Sequence, residues 1–160
     1  MIDPDVRSAR ADDGPELAVL EEAARAGLVD VRGGGRWLEE HPRIAPDWAA
    51  AVERRHVFVA ELADPAPLVV GYLVLDVEGA VATVEQVYVT PQARELGFGD
   101  ALLAAAWSRA SDAGAAVLEG YALPGDRHTK NLYERAGITA RLITVSRVIS
   151  GPSSSADASR

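Results

Sequence analysis

Gly97 and Gly99, preceded by Arg94 and followed by an apolar helical run, are the residues whose types and spacing point most directly to chemistry. Without a Cβ, both glycines can adopt backbone angles and close approaches denied to other residues, so successive N–H groups can converge on one anion. Upstream, the side chains of Val84, Val87, Tyr88 and Val89 favour a pleated strand, which Thr90 and Pro91 stop. Downstream, Asp100 to Ala113 reads as a helix. Its first N–H groups lack intrahelical partners, and its dipole places about half a positive charge at that end. Backbone can therefore hold a phosphate or pyrophosphate there, with Arg94 adding a charge-assisted contact. The same residues also suit a plain tight turn into a helix. Other phosphate motifs fit worse: there is no GxxxxGK[ST], and RELGFG lacks the first glycine of GxGxxG, with no second βαβ half evident.

Neighbouring residues narrow the reading. The run VEQVYVTPQARELGFGDALL resembles motif A of the GNAT superfamily of N-acetyltransferases, through Val89, Thr90, Pro91, Arg94, Gly97, Gly99, Leu102 and Leu103. In that family the motif grips the pyrophosphate of acetyl-CoA. Further on, DRHTKNLYERAG from Asp126 to Gly137 is an apolar helical face closed by a glycine stop, and it resembles motif B of the same family. There the helix lies along the pantetheine arm, and its tyrosine donates a proton to the departing thiolate; the matching residue is Tyr133. Three positions depart from the pattern: Asp126 stands where the family has Asn, Thr129 where it has Ala, and Ile138 follows Gly137 where Phe is usual. Asn131 is a nearby amide outside the motif position. The resemblance implies acetyl-CoA as acyl-donor co-substrate and no metal. The cofactor site it implies comprises Val87, Tyr88, Val89, Arg94, Glu95, Leu96, Gly97, Phe98, Gly99 and Asp100, with Asp126, Asn131 and Tyr133 from motif B.

Acetyl transfer to an amine needs a neutral nucleophile, a route for its proton, polarisation of the thioester carbonyl and an acid for the leaving sulfur. Glu85 is the base candidate. Period two places it with Val87 and Val89, where an apolar setting raises its pKa towards working pH; a strand bulge would alter that facing. Tyr133 is the acid candidate by motif position. A backbone N–H near Val87 or Val89 would polarise the carbonyl in a GNAT-like site. His128, in the first turn of the motif B helix, and His56, at a strand start, read as exposed or structural. Glu119 and Tyr121 share a strand face by parity and could border an acceptor cavity, with support as the main role expected of them. Trp37, Trp48 and Trp107 are expected in the core or a pocket wall, Trp107 above all because it follows the glycines on their helix.

The elements that must position these residues are legible in outline. Val6 to Arg10 reads as a strand, followed by an amphipathic helix capped at Asp13, with Pro15 inside, and ending near Gly27. Val29 to Ala51 is the least legible stretch: Gly33, Gly34 and Gly35 imply a mobile turn, Trp37 and Leu38 a short helix, and Pro42 and Pro46 break anything longer. In the family it resembles, the corresponding region often covers the acceptor pocket; an ordinary surface loop fits these residues equally well. His56 to Leu62, Leu68 to Glu78 and Val81 to Val89 form an antiparallel meander. Ala115 to Ala122 is a fifth strand, and Arg141 to Ile149 a terminal one. The predicted fold is α+β, a GNAT-type mixed, mostly antiparallel central sheet flanked by helices, with splayed fourth and fifth strands. Residues 1–150 make one domain, and the Ser-rich stretch 151–160 is expected to be a disordered polar tail.

Composition sets limits. No cysteine is present, so disulfides, thiolate nucleophiles and thiolate metal sites are excluded. Three histidines without ligand spacing argue against zinc. The net charge of -8 argues against a nucleic-acid surface and favours cationic partners such as protonated amines. No apolar run approaches the ~18 residues of a membrane span, and the charged N-terminus lacks a leader's apolar core, so the expected location is cytoplasmic. The expected partners are thus an acyl-CoA and an amine acceptor, small molecule or protein, with neither membrane nor nucleic acid. The oligomeric state is open, a homodimer included. The rival to an N-acetyltransferase is a non-catalytic acyl-CoA-binding or regulatory module, for which the departures at Asp126 and Thr129 speak.

Overall fold

The computed structural model describes residues 3–149. The expected tail at 151–160 lies outside them. Five strands form one sheet in the order β1 (Asp5–Ser8), β2 (His56–Leu62), β3 (Leu68–Glu78), β4 (Val81–Val89), β5 (Val117–Gly120). Neighbours pair antiparallel except β4 with β5, which are parallel. A parallel pair needs a crossover, supplied by helix α4 (Phe98–Asp112). The remaining helices are α1 (Gly14–Ala26), α2 (Gly34–Glu40), α3 (Trp48–Arg54) and α5 (Arg127–Arg135).

Two apolar cores lie on opposite faces of the sheet. One packs Phe98, Leu102, Leu103 and Ala106 of α4, with Leu132 and Tyr133 of α5, against Leu73, Leu75, Ala82, Val84 and Val89. The other packs Leu17 and Leu20 of α1 and Trp48 of α3 against Val57, Val59, Tyr72 and Val74. Coverage on both faces explains β3, whose residues from Val69 to Leu75 are all buried, a continuous apolar run rather than an alternating one.

Several sequence expectations are corrected. Residues 141–149 form no strand and remain coil, with Leu142, Val145 and Ile149 almost fully exposed. The sequence has strand propensity there, but among the described residues no neighbouring edge accepts it. α3 was unforeseen, because a single helical turn or two after Pro46 carries too little periodicity to register. Trp107 is 62% exposed and points away from the α4 core stripe, whereas Trp48 is buried.

Candidate functional site

β4 and β5 are paired only over Val81–Val84 against Val117–Gly120. β4 continues to Val89, so past Val84 and Gly120 the pairing ends and a wedge opens between the strands. Glu85 stands at its apex. The β3–β4 register slips there: Val74 pairs with Gln86 and Leu75 with Val84, which leaves Glu85 as the extra residue of a bulge. Val84, Val87 and Val89 pack on the α4 side, whereas Tyr88 packs on the α1 side and Gln86 hydrogen-bonds Tyr72 there. Glu85 therefore shares a face with Gln86 and Tyr88 and not, as simple parity predicts, with Val87 and Val89.

The surroundings of Glu85 raise its pKa. Desolvation is the leading cause and the like charge of Asp76 the next; Arg55 and His41 oppose them. Arg55 is committed to Asp76 through a two-point ion pair, with Nε 2.7 Å from Oδ1. Tyr133, on α5, is 5% exposed, and its hydroxyl makes no hydrogen bond of good geometry, although the backbone of Tyr121 approaches it. Burial pushes this phenol's pKa up. The hydroxyl lies against Gly120, the last paired residue of β5, so base and acid candidates occupy the two walls of one wedge.

A cleft of about 350 Å³ adjoins the wedge at the start of α4. Glu95 and Gly97 both have left-handed φ, 66° and 88°, and Gly97 caps α4 without a side-chain bond, so the first amides of the helix face the cleft region unpartnered by α4 itself. The Arg94 guanidinium donates through Nε to the Val89 carbonyl at 3.0 Å and lies 5.7 Å from the centre of the Tyr88 ring. Val89, Gly99 and Asp100 also line the cleft. From α5 come His128, Asn131 and Arg135, on one helical face. Burial holds the His128 pKa below its ordinary value, and the charges of Arg94 and Arg135 push the same way.

The other expected residues are placed as follows. Phe98 is 1% exposed in the core, so only its backbone can reach a ligand. Leu96 is exposed at 40%. Val87 packs on the α4 core. Asp126 is the N-cap of α5 and accepts the Thr129 backbone N–H at 3.2 Å, which gives the departure at position 126 from the family motif a structural use. Asp100 forms an exposed ion pair with Arg135 at 3.2 Å.

Sequence reasoning missed Arg135, the role of Gly120, and a clamp on the far side of the wedge. Trp37 stacks on His41 with ring centres 3.5 Å apart, and the Tyr121 ring lies 5.0 Å from Trp37. Arg25 donates to the carbonyls of Leu38 at 3.0 Å and His41 at 2.7 Å. One turn away on α1, buried Glu21 accepts the N–H groups of Ile44 and Ala45 at 2.8 and 2.9 Å and the Gln86 amide at 3.3 Å. Helix α1 thus holds the segment carrying Trp37 and His41 to β4, beside the bulge. An acidic side chain at position 21 and a basic one at 25 on the buried stripe side of α1 were the available signal.

A family model described as an acetyltransferase (GNAT) domain matches residues 53–137, just over half of the chain. The chain belongs to the GNAT acetyltransferase family. No curated protein sequence matches it. Among solved structures, a tetramutant of the BH1408 protein of Bacillus halodurans is 16% identical, with 91% of this chain and 99% of that one covered and a TM-score of 0.71. The PaiA N-acetyltransferase of Thermoplasma acidophilum, in complex with coenzyme A, is 16% identical over 84% of this chain and 89% of its own, TM-score 0.67. The aminoglycoside N-acetyltransferase AAC(6')-Iy, in complex with a CoA bisubstrate analogue, is 18% identical over 91% and 99%, TM-score 0.61. These likenesses establish the GNAT fold across nearly all of the described chain. Among the described residues no group of metal-ligating side chains is assembled and no helix is long and apolar enough to cross a membrane.

Proposed function

We propose that this GNAT chain transfers an acetyl group from acetyl-CoA to a primary amine of a small molecule or protein, by direct attack within a ternary complex. The observation that carries this reading is the wedge itself, with Glu85 at its apex and the Tyr133 hydroxyl on the opposite wall, beside an amide-rich cleft. The cleft residues fit the donor: Arg94, Arg135 and the first amides of α4 match a pyrophosphate, and Asn131 offers an amide to the arm that follows.

In this mechanism Glu85 accepts the proton of the incoming ammonium, directly or through water, so that the amine nitrogen attacks the thioester carbonyl as a neutral nucleophile. The unpaired edge of β4 near Val87 or Val89 donates an N–H to the carbonyl oxygen. As the carbon–sulfur bond breaks, Tyr133 gives its proton to the sulfur. The segment of Trp37, His41 and Tyr121 walls the acceptor side, next to Glu85.

The test is release of CoA thiol from acetyl-CoA by the purified chain across an amine panel. Turnover that falls in Tyr133→Phe supports the reading. Binding of acetyl-CoA without thiol release, unchanged by Tyr133→Phe, overturns it in favour of a binding module, and no binding by calorimetry overturns both.

A further inference from the structure

Acetyl transfer as read above releases one proton per turnover, so the site needs an exit for it. An ammonium loses two protons on becoming an amide. One is balanced by the proton that Tyr133 gives to the sulfur; the other, taken up by Glu85, must leave before Glu85 can act again. Glu85 is desolvated, which calls for a neighbour to carry that proton to water.

The β4–β5 register shows what stands there. Val84 pairs with Gly120, so the next residues, Glu85 and Tyr121, flank the opening of the wedge. Against the Tyr121 ring lie the rings of Trp37 and His41, with centres at 5.0 and 6.1 Å. From α1, Glu21 ties Ile44 and Ala45, just past His41, to Gln86, just past Glu85. Two separate connections thus bring His41 beside Glu85, and its charge bears on that carboxyl.

The His41 ring is held in one tautomer. Nδ1 lies 2.9 Å from the Trp37 carbonyl oxygen. A carbonyl only accepts, so Nδ1 carries the hydrogen and the neutral ring keeps its lone pair on Nε2. The His41 backbone N–H donates to the same carbonyl at 2.9 Å, and Arg25 donates to the His41 carbonyl at 2.7 Å. The Trp37 indole stacks on the imidazole at 3.5 Å, and such a face attracts the cation formed when Nε2 is protonated. His41 is only half-buried, which leaves it within reach of water. The other groups around Glu85 are unsuited. Arg55 and Asp76 are committed to each other, and a guanidinium has no lone pair to offer. Burial, with the charges of Glu85 and Glu119, pushes the Tyr121 phenol up, so it stays protonated.

We propose that His41 relays the proton of the incoming amine from Glu85 to solvent. The Glu85 O–H breaks, an N–H forms at Nε2 of His41, and the imidazolium gives that proton to water, leaving Glu85 ionised for the next amine.

His41→Asn tests this, because its side-chain N–H stands where Nδ1–H does and nothing replaces Nε2. In steady-state release of CoA thiol, kcat is expected to fall by roughly 10²-fold, with the KM for acetyl-CoA and the melting temperature as in wild type. In His41→Ala, added imidazole is expected to restore kcat with rising concentration, above the enzyme-free background, and to leave wild type unchanged. A His41→Asn protein with wild-type kcat overturns the relay. So does a loss in His41→Ala that imidazole fails to restore, or an effect confined to the KM for the amine, either of which makes His41 a wall residue. These outcomes leave acetyl transfer standing, whereas wild-type protein that releases no thiol with any amine overturns acetyl transfer and the relay together.

Discussion

The Tyr133 hydroxyl fills the place where a side chain on Gly120 would begin, with the ring Cζ 2.7 Å from that point. An acid candidate on α5 is thereby seated against the strand that forms one wall of the wedge, and only glycine at position 120 leaves room. Gly120→Ala is expected to displace the ring, destabilise the fold by about 1–3 kcal/mol and lower kcat. Tyr133→Phe is expected to leave stability within about 1 kcal/mol, since the hydroxyl has no partner to lose, and to lower kcat by roughly 10²-fold. Combining the two should give less than the sum of their stability losses, because Phe relieves the contact closest to the new methyl. Urea melts of the four proteins measure that coupling.

The bulge at Glu85 makes a pH prediction with two signs to check. As a base Glu85 must be ionised, and its raised pKa places the acidic limb of kcat/KM above the ordinary carboxylate range. Glu85→Gln is expected to remove that limb and lower the rate by roughly 10²-fold or more. For stability the linkage runs the other way. A carboxyl whose folded pKa is raised favours the folded state below its unfolded pKa and loses that contribution as pH rises through the folded value. Glu85→Gln is therefore expected to melt at a higher temperature than wild type at pH 7, with the gain vanishing towards pH 4. A neutral-pH melting temperature below wild type would show Glu85 to be a supporting carboxylate instead.

Asp76 and Arg55 push the Glu85 pKa in opposite directions. Asp76→Asn removes the like charge and frees Arg55, so the acidic limb is expected to move to lower pH. Arg55→Leu leaves Asp76 unopposed and should move it higher. The two pH–rate profiles, compared with wild type, separate a titrating Glu85 from a pH effect on the acceptor amine, which neither variant alters.

In the donor cleft, Arg94 and Arg135 are expected to contribute through charge-assisted contacts, each worth about 1.5–3 kcal/mol when well formed. Arg135→Gln should raise the KM for acetyl-CoA roughly tenfold and leave that for the amine unchanged. Arg94→Gln should also weaken the end of β4, because the Arg94 Nε bond to the Val89 carbonyl is lost. Calorimetry with CoA checks the first and a denaturation curve the second.

The donor side was legible because it is local: a strand, a glycine turn and a helix start are contiguous in sequence from Val84 to Leu103, and their spacing carries the geometry. α1, the meander and α5 were likewise legible from period and caps. Glu85's facing was not, since a single inserted residue reverses parity without any mark in composition. Arg135 was missed because its relation to Arg94 spans 41 positions, and Glu21 because its partners lie 23 to 65 residues away. Residues 141–149 read as a strand for sound local reasons, and what the sequence omits is the edge that strand would need.

Glu21 carries the last prediction. Its buried carboxylate takes two backbone N–H groups from the Ile44–Ala45 segment and an amide N–H from Gln86, the residue after Glu85. Glu21→Ala strands these donors in a dry core and is expected to cost about 3 kcal/mol or more. Glu21→Gln has nearly the same volume and keeps one acceptor oxygen, so it should fold with a smaller loss. Because the clamp sets where Trp37 and His41 stand relative to Glu85, Glu21→Gln is expected to raise the KM for the amine severalfold and leave binding of acetyl-CoA as in wild type. A purely structural role would instead lower stability and leave both Michaelis constants unmoved in the folded fraction. The split between the two constants, read alongside a urea melt, decides between them.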